Sequence, residues 1–309
     1  MLTKRLLSHN TKKNRFTNAV NNISQRIVSE GDKPHVSVEK QLELLHQLTQ
    51  FDFGCFLLEN QGINGFWTHY MLTHPRKGKL TRTNNRGLPL SKLEEFILER
   101  APTILATQQR FEIFLAENQK AVKNDTTLAS IPCGMMGELL YLDFKKVNTT
   151  SLVGIDYDKF TFHDAKALAD ERELSKFTRF IQKDAWSLKQ EDAFHLISSN
   201  GLNIYEPCDT KVENLYQQFY TALKTEGRLV TSFLTPPPEL SASCEWKTDN
   251  LNNDDLELQR VIFSDIIGVK WQCFRSSEQT RSQLLSVGFR NIQFLYDDAH
   301  IFPTVVAVK

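Results

Sequence analysis

The stretch "LASIPCGMMGELLYLDF", residues 128–144, sets a β-prone lead-in, a turn of small residues and a run that reads as a helix in immediate succession. The chain has only 13 glycines among 309 residues, yet Gly134 and Gly137 both fall at this junction. A glycine there can take positive φ, and without a Cβ it lets main-chain N–H groups at the start of the following helix approach a ligand. A tight turn also needs small residues, so this stretch alone does not choose between a binding loop and an ordinary strand-to-helix turn. The helix is expected over "GELLYLDFKKV".

Further along, β-prone and helical runs alternate. "TLASIPC" is followed by "SLVGID", "YDKFTFHDAKALADEREL", "RFIQKDA", "AFHLISS", "KVENLYQQFYTALKTEG" and "RLVTSFL". This rhythm predicts a parallel sheet with right-handed crossovers and helices on both faces. Ligands on such sheets sit at the carboxyl ends of the strands. The second strand ends at Asp156, about 20 residues beyond the glycines, where a carboxylate can accept from both hydroxyls of a ribose. Asp158 reads instead as a helix-start residue. The third strand ends in "IQKDAW", where Asp184 either accepts from an adenine amino group, with the Ala185 N–H on a ring nitrogen, or caps the next helix. Gly, Asp and Asp at three successive strand ends point to a nucleoside. "SSNGLNIYEP" follows the fourth strand.

On these residues, the chain from about 126 to 309 resembles the class I S-adenosylmethionine-dependent methyltransferases. The resemblance implies a cofactor site made by Pro132, Cys133, Gly134 and Gly137 as the first motif, Asp156 with Tyr157 at the ribose, Asp184 with Ala185 at the adenine, and Asn200 and Gly201 after the fourth strand. It implies a seven-stranded Rossmann-like sheet, parallel except for its last strand. The C-terminal "TRSQLLSVGFRNIQFLYDD" and "IFPTVVAVK" fit the family's closing helix and antiparallel hairpin, whose seventh strand inserts beside the fifth. Pro132 stands where the usual motif has glycine, and Met135 and Met136 add bulk to the turn. NAD is disfavoured because the full G-x-G-x-x-G is missing.

The first part of the chain is helical. "VSVEKQLELLHQLTQF" starts at a Ser37 cap, and a second helical run starts at Ser91 with Glu94 as a capping-box partner and breaks at Pro102. The expected organisation is therefore a helical region over 1–124 that caps the substrate, then a methyltransferase domain over 125–309 carrying an insert at 236–280. From Met1 to Ser29 there is no acid, while Lys4, Arg5, Lys12, Lys13, Arg15 and Arg26 are basic. This start reads as a solvated tail.

Formal net charge is zero, which gives no overall field toward nucleic acid. The motif that base methyltransferases carry after the fourth strand is absent from "SSNGLNIY", which also disfavours nucleic acid. Five scattered cysteines lack zinc spacing, so no metal is expected and a reducing, cytoplasmic setting is the default. No apolar run reaches the roughly 18 residues of a membrane span.

The acceptor is expected above the fourth strand, near Asn203 and Tyr205, with Trp67, Tyr70 and Arg76 from the helical region and the aromatics Trp246, Phe263, Trp271 and Phe274 of the insert. Arg76, Lys77 and Lys79 are candidates for an acceptor carboxylate or phosphate. Tyr205, His69 and His74 are the candidates for a catalytic group, although histidines beside aromatics usually satisfy local hydrogen bonds. The reading is methyl transfer to an oxygen or nitrogen of a small, partly apolar metabolite. The alternatives are a protein or RNA methyltransferase and a cofactor-binding interaction module without turnover.

Overall fold

The computed structural model describes residues 14–269 and 273–309. Lys4, Arg5, Lys12, Lys13 and Trp271 lie outside them. The described part of the basic leader is not a solvated tail: α1 (Asn14–Glu30) buries Ile23 and Ile27. The pair recurs at helical spacing within an Asn-rich segment, which masks the apolar stripe. Next come α2 (Val38–Leu48), α3 (Asp52–Asn60), α4 (Gly65–Thr73), the short α5 (Gly78–Thr81), α6 (Lys92–Glu99) and α7 (Pro102–Gln119). Ser37 caps α2 by accepting from Lys40 N at 3.2 Å, and Ser91 caps α6 by accepting from Glu94 N at 3.1 Å. Pro102 is the first residue of α7, where its missing N–H costs nothing.

The sheet is built from β1 (Thr126–Ser130), β2 (Thr150–Asp156), β3 (Thr178–Gln182), β4 (Phe194–Ser199), β5 (Leu223–Ser232), β6 (Arg290–Leu295) and β7 (Thr304–Val308), in the order β3-β2-β1-β4-β5-β7-β6. Every pairing from β3 through to β5 is parallel, whereas β7 pairs antiparallel with both β5 and β6. The expected seventh strand beside the fifth is thus present. The helices within this part of the chain are α8 (Gly137–Leu140), α9 (Thr161–Glu171), α10 (Asp209–Ala222), α11 (Asn253–Arg260) and α12 (Ser277–Ser286).

Alternation along β1 and β4 sends Ala129, Ile131 and Ile197 into one core with Val212, Tyr216 and Phe219 of α10. Leu128, Leu152 and Leu196 are fully buried on the other face, as a sheet covered on both sides requires.

Two local expectations differ from the structure. The helix after the glycine turn stops at Leu140 instead of running to Val147. Gln119 accounts for this: its amide accepts from Asp143 N at 2.8 Å and donates to Asp143 O at 3.0 Å, holding that segment in a non-helical path. Gly227 lies inside β5 rather than in a turn before it, and the left-handed residue there is Glu226, φ 61°.

The chain separates into two compact units. One runs to Gln108 and resumes from Thr248 to 269; the other comprises Gln109–Lys247 and 273–309. This differs from a division at 124/125. The middle of the expected insert belongs with the helices. There Asp265, in the π-helical turn Val261–Ile267 after α11, accepts from Lys33 Nζ at 2.7 Å and lies 2.8 Å from His35 Nε2. Arg26 adds hydrogen bonds to the carbonyls of Asp265 and Ile266 at 2.8 and 2.7 Å. The ends of the insert stay with the sheet, where Trp246 Nε1 donates to Thr235 Oγ1 at 3.0 Å and Phe274 bridges to Leu234.

The last part of α7 belongs to the sheet unit and crosses one face of it. Glu117 pairs with Arg228 near the start of β5 at 2.8 Å, Asn118 donates to Ser198 on β4 at 3.0 Å, and Arg110 donates to Ser232 at the end of β5 at 3.2 Å. Arg110 and Glu117 are separated by about 10 Å of helix rise, and Arg228 and Ser232 by about 13 Å of strand. The matching lengths place α7 along β5, with Arg110 at the carboxyl ends of the strands.

Candidate active site

The β1 turn and the end of β2 are joined directly. Asp156 Oδ2 accepts from Gly134 N at 3.0 Å, and Asp156 Oδ1 accepts from Asp158 N at 3.0 Å. Gly134 has φ 46°, which suits a residue without Cβ. The Cys133 N–H donates to Ile155 O at 2.9 Å, which extends the β1–β2 ladder into the turn. Burial pushes Asp156 above the ordinary carboxylate range, although both backbone N–H groups pull it down. Each carboxylate oxygen has a second lone pair, so acceptor capacity remains for two hydroxyls. Burial likewise pushes the Cys133 thiol well up, so it stays protonated at neutral pH and serves packing. Met136 takes the left-handed position before Gly137, with φ 58° and its side chain fully buried.

Asp184 caps the short 3₁₀ turn Ala185–Ser187 by accepting from Trp186 N at 3.0 Å through Oδ1. Ala185 is buried beside it, and Tyr157 is exposed. After β4, Asn200 has a buried Oδ1 without a hydrogen-bond partner, and Gly201 takes φ 79°. Asn203 is buried and donates to Tyr216 Oη at 3.0 Å, which fixes it in the core of this unit. Tyr205 exposes 44% of its surface, yet burial around its hydroxyl pushes its ionisation up against the pull of Arg110, so the phenol is neutral near pH 7.

Sequence reasoning missed two charged residues here. Arg110 is 95% buried, being 5% exposed. Its Nη1 donates to Ser232, its guanidinium lies 4.6 Å from the centre of the Phe302 ring, and its Nε is buried without a partner. Burial depresses its ionisation to about 10. A Cβ added at Gly201 would lie 3.1 Å from Ile204 Cδ1 and 3.9 Å from Nη1, which places the glycine beside the Ser232-bonded end of the guanidinium. Glu138, the residue after Gly137, is buried and accepts from Ser130 Oγ at the end of β1. Burial pushes it up to about 7. The signal for Arg110 was weak, because Arg110, Glu117 and Asn118 interrupt the apolar pattern of α7 in the manner of a solvated face.

The other candidates belong to the helical unit. Trp67 is core there, stacked on Phe53 at 5.3 Å and edge-on to Tyr70 at 5.4 Å. Tyr70 donates to Glu94 at 2.9 Å. His74 is buried 3.1 Å from Glu99, which accounts for it as a structural residue, and His69 accepts through its carbonyl from Thr73 Oγ1 at 2.7 Å. Arg76, Lys77 and Lys79 are exposed. Among the described residues no group of three or more His, Cys, Asp or Glu is placed to hold a metal ion. No helix among them is long and apolar enough to cross a membrane.

No protein-family model matches the sequence, and no curated protein matches it. Among solved structures, "a possible exported protein" from Bordetella parapertussis is 39% identical and superposes with a TM-score of 0.91 over 99% of each chain. The magnesium protoporphyrin IX methyltransferase of Synechocystis PCC 6803, solved with bound S-adenosylhomocysteine, is 11% identical with a TM-score of 0.50, covering 79% of this chain and 98% of that one. The fold is that of the class I S-adenosylmethionine-dependent methyltransferases, with the same sheet that the strand order describes.

Proposed function

We propose that this chain, which belongs to one family with the Bordetella parapertussis protein, binds S-adenosylmethionine at the strand carboxyl ends and transfers its methyl group to an oxygen or nitrogen of a small, partly apolar metabolite. The observation that carries the reading is the Asp156 carboxylate bound to the Gly134 N–H. It brings the β2 acid and the β1 glycine turn to one point in a sheet ordered β3-β2-β1-β4-β5-β7-β6. Asn200 supports it, because a buried amide oxygen without a partner costs about 1–3 kcal/mol unless a ligand supplies a donor.

On this reading Asp156 accepts from the ribose hydroxyls, Asp184 and the Ala185 N–H face the adenine, and Asn200 Oδ1 accepts from a donor on the methionyl end. The bound cofactor supplies an electrophilic methyl carried on a sulfonium. The chain's part is to align that methyl with the acceptor and to keep water out, and such positioning supplies most of the acceleration in an in-line displacement. A neutral Tyr205 serves as a hydrogen-bond donor rather than as a base. An acceptor that arrives already deprotonated requires no base. We place the enzyme in a reducing, cytoplasmic setting, in keeping with its five free thiols.

Calorimetry with S-adenosylmethionine and S-adenosylhomocysteine tests the cofactor. Asp156→Ala should weaken both by about 10- to 100-fold. A wild type that binds neither, or a variant that binds as tightly as wild type, ends the reading. Methyl label should then enter the metabolite fraction of an extract rather than its protein or RNA.

A further inference from the structure

We propose that Arg110 forms the floor of a buried subsite at the carboxyl ends of β4 and β5 that takes the carboxylate of a ligand. The proposal rests on the methyltransferase reading above and assigns a chemical class to part of that site. Its starting point is an imbalance. Arg110 is 5% exposed, and its one hydrogen bond among the described residues goes to the neutral hydroxyl of Ser232. An unpaired buried charge is among the most costly features a fold can carry, and apolar residues replace such a charge readily when only packing is at stake.

Asp297 and Glu138 attract the guanidinium at a distance, but among the described residues neither forms a hydrogen bond or ion pair with it. Glu138 is engaged with Ser130 and, with its ionisation near 7, is about half protonated at neutral pH. Asp297 accepts from the N–H groups of Ala299, Ile301 and Phe302 at 3.1, 3.1 and 2.7 Å. Those bonds shape the turn that lays Phe302 against the guanidinium. Tyr205, the other titratable group that acts on Arg110, is neutral.

Geometry gives the class of ligand. Nη1 is held by Ser232 and one face of the guanidinium by Phe302, which leaves the side-on edge of Nε and Nη2. Two parallel N–H groups on one edge match the two oxygens of a carboxylate, and one cation balances one anionic charge. Gly201 lies beside Nη1, and the unpartnered Asn200 Oδ1 that precedes it is an acceptor for a donor group of the ligand next to its carboxylate. Two sources fit this chemistry: the methyl acceptor and the aminoacyl end of the cofactor.

The test uses the full chain, Arg110→Gln and Arg110→Lys. Calorimetry compares S-adenosylhomocysteine with 5′-methylthioadenosine, which lacks the aminoacyl carboxylate. In parallel, a metabolite extract is split by anion exchange before incubation with methyl-labelled S-adenosylmethionine. If the cofactor supplies the carboxylate, Arg110→Gln weakens S-adenosylhomocysteine about 10- to 100-fold and leaves 5′-methylthioadenosine unchanged. If the acceptor supplies it, both nucleosides bind as in wild type, label enters the anionic fraction, and Arg110→Gln cuts that labelling at least about 10-fold. Either result supports the subsite, with Arg110→Lys falling between. Unchanged nucleoside binding without an Arg110-dependent label in the anionic fraction overturns it, as does an Arg110→Gln protein less stable than wild type, which would mark a structural arginine. A wild type that does not bind S-adenosylhomocysteine overturns the methyltransferase reading and this one together; failure of the subsite proposal alone leaves wild-type binding of S-adenosylhomocysteine in place.

Discussion

Glu138 makes stability depend on pH in a way that one isosteric substitution can isolate. Its carboxyl is pushed up to about 7 by burial, against the pull of the Ser130 hydroxyl, its own backbone N–H and the Arg110 charge. In the unfolded chain the same group ionises near about 4.3. The folded state therefore binds more protons than the unfolded state between about pH 4.5 and 7, and stability falls as pH rises through that window. Below it both states are protonated and the penalty is absent; above it both are ionised and the penalty is complete. At about 1.4 kcal/mol per pH unit the full penalty is about 4 kcal/mol. Glu138→Gln keeps the shape and an acceptor for Ser130 but cannot ionise. By urea unfolding, at pH 5 the variant should be more stable by only about 1 kcal/mol, whereas at pH 8 it should be more stable by about 4 kcal/mol. Other titrating groups are common to both proteins and cancel in the difference. A gap between the two curves that is the same at pH 5 and pH 8 would refute a buried Glu138 that ionises near neutrality.

Removing the buried cation should also stabilise the fold: Arg110→Met at pH 7 is expected to gain about 3 kcal/mol, read by urea unfolding. The depression of Arg110 to about 10 sets that size, and its penalty is complete at any pH below that value. The same variant should raise the Glu138 midpoint, because a neighbouring positive charge that favours the carboxylate is lost; titration of the stability difference between Arg110→Met and the double variant Arg110→Met/Glu138→Gln measures it. Gly154→Ala places a Cβ 2.8 Å from Phe180 Cδ1 and 3.2 Å from Cys133 Cβ in the middle of β2, and should cost about 1–3 kcal/mol in thermal unfolding.

The strand ends were legible for a physical reason. A parallel sheet buried on both faces spells its strands as short apolar runs, and each run must end in residues that tolerate an exposed turn. Gly134, Asp156 and Asp184 stand out against the runs "TLAS", "LVGI" and "RFIQ". The hairpin that sends β7 back between β5 and β6 was legible from Gly288 and the two runs after it, and Gly288 takes φ 104°. The unit boundary was not legible. It falls inside the continuous helix α7, and α11 returns to the helical unit from an insert whose Pro-rich start reads only as a connection.

Arg110 shows why the other half of the site escaped. A helix that packs on a sheet normally turns a clean apolar stripe inward, and polar residues within the stripe read as a shift toward solvent. In α7 the polar positions are themselves inward: Arg110, Glu117 and Asn118 are all buried. Glu117 is paired with Arg228, and Asn118 donates through Nδ2 to Ser198 and the Glu138 carbonyl while its Oδ1 has no partner. Arg110, at the end of the row where the strands stop, has no acid in direct contact among the described residues and hydrogen-bonds only to Ser232. Strand tips reveal the groups that the proposed function assigns to the nucleoside, since each follows a recognisable run. Arg110, the group proposed to meet a ligand carboxylate, lies on a covering helix, and its meaning depends on a register between α7 and β5 that only the folded chain supplies.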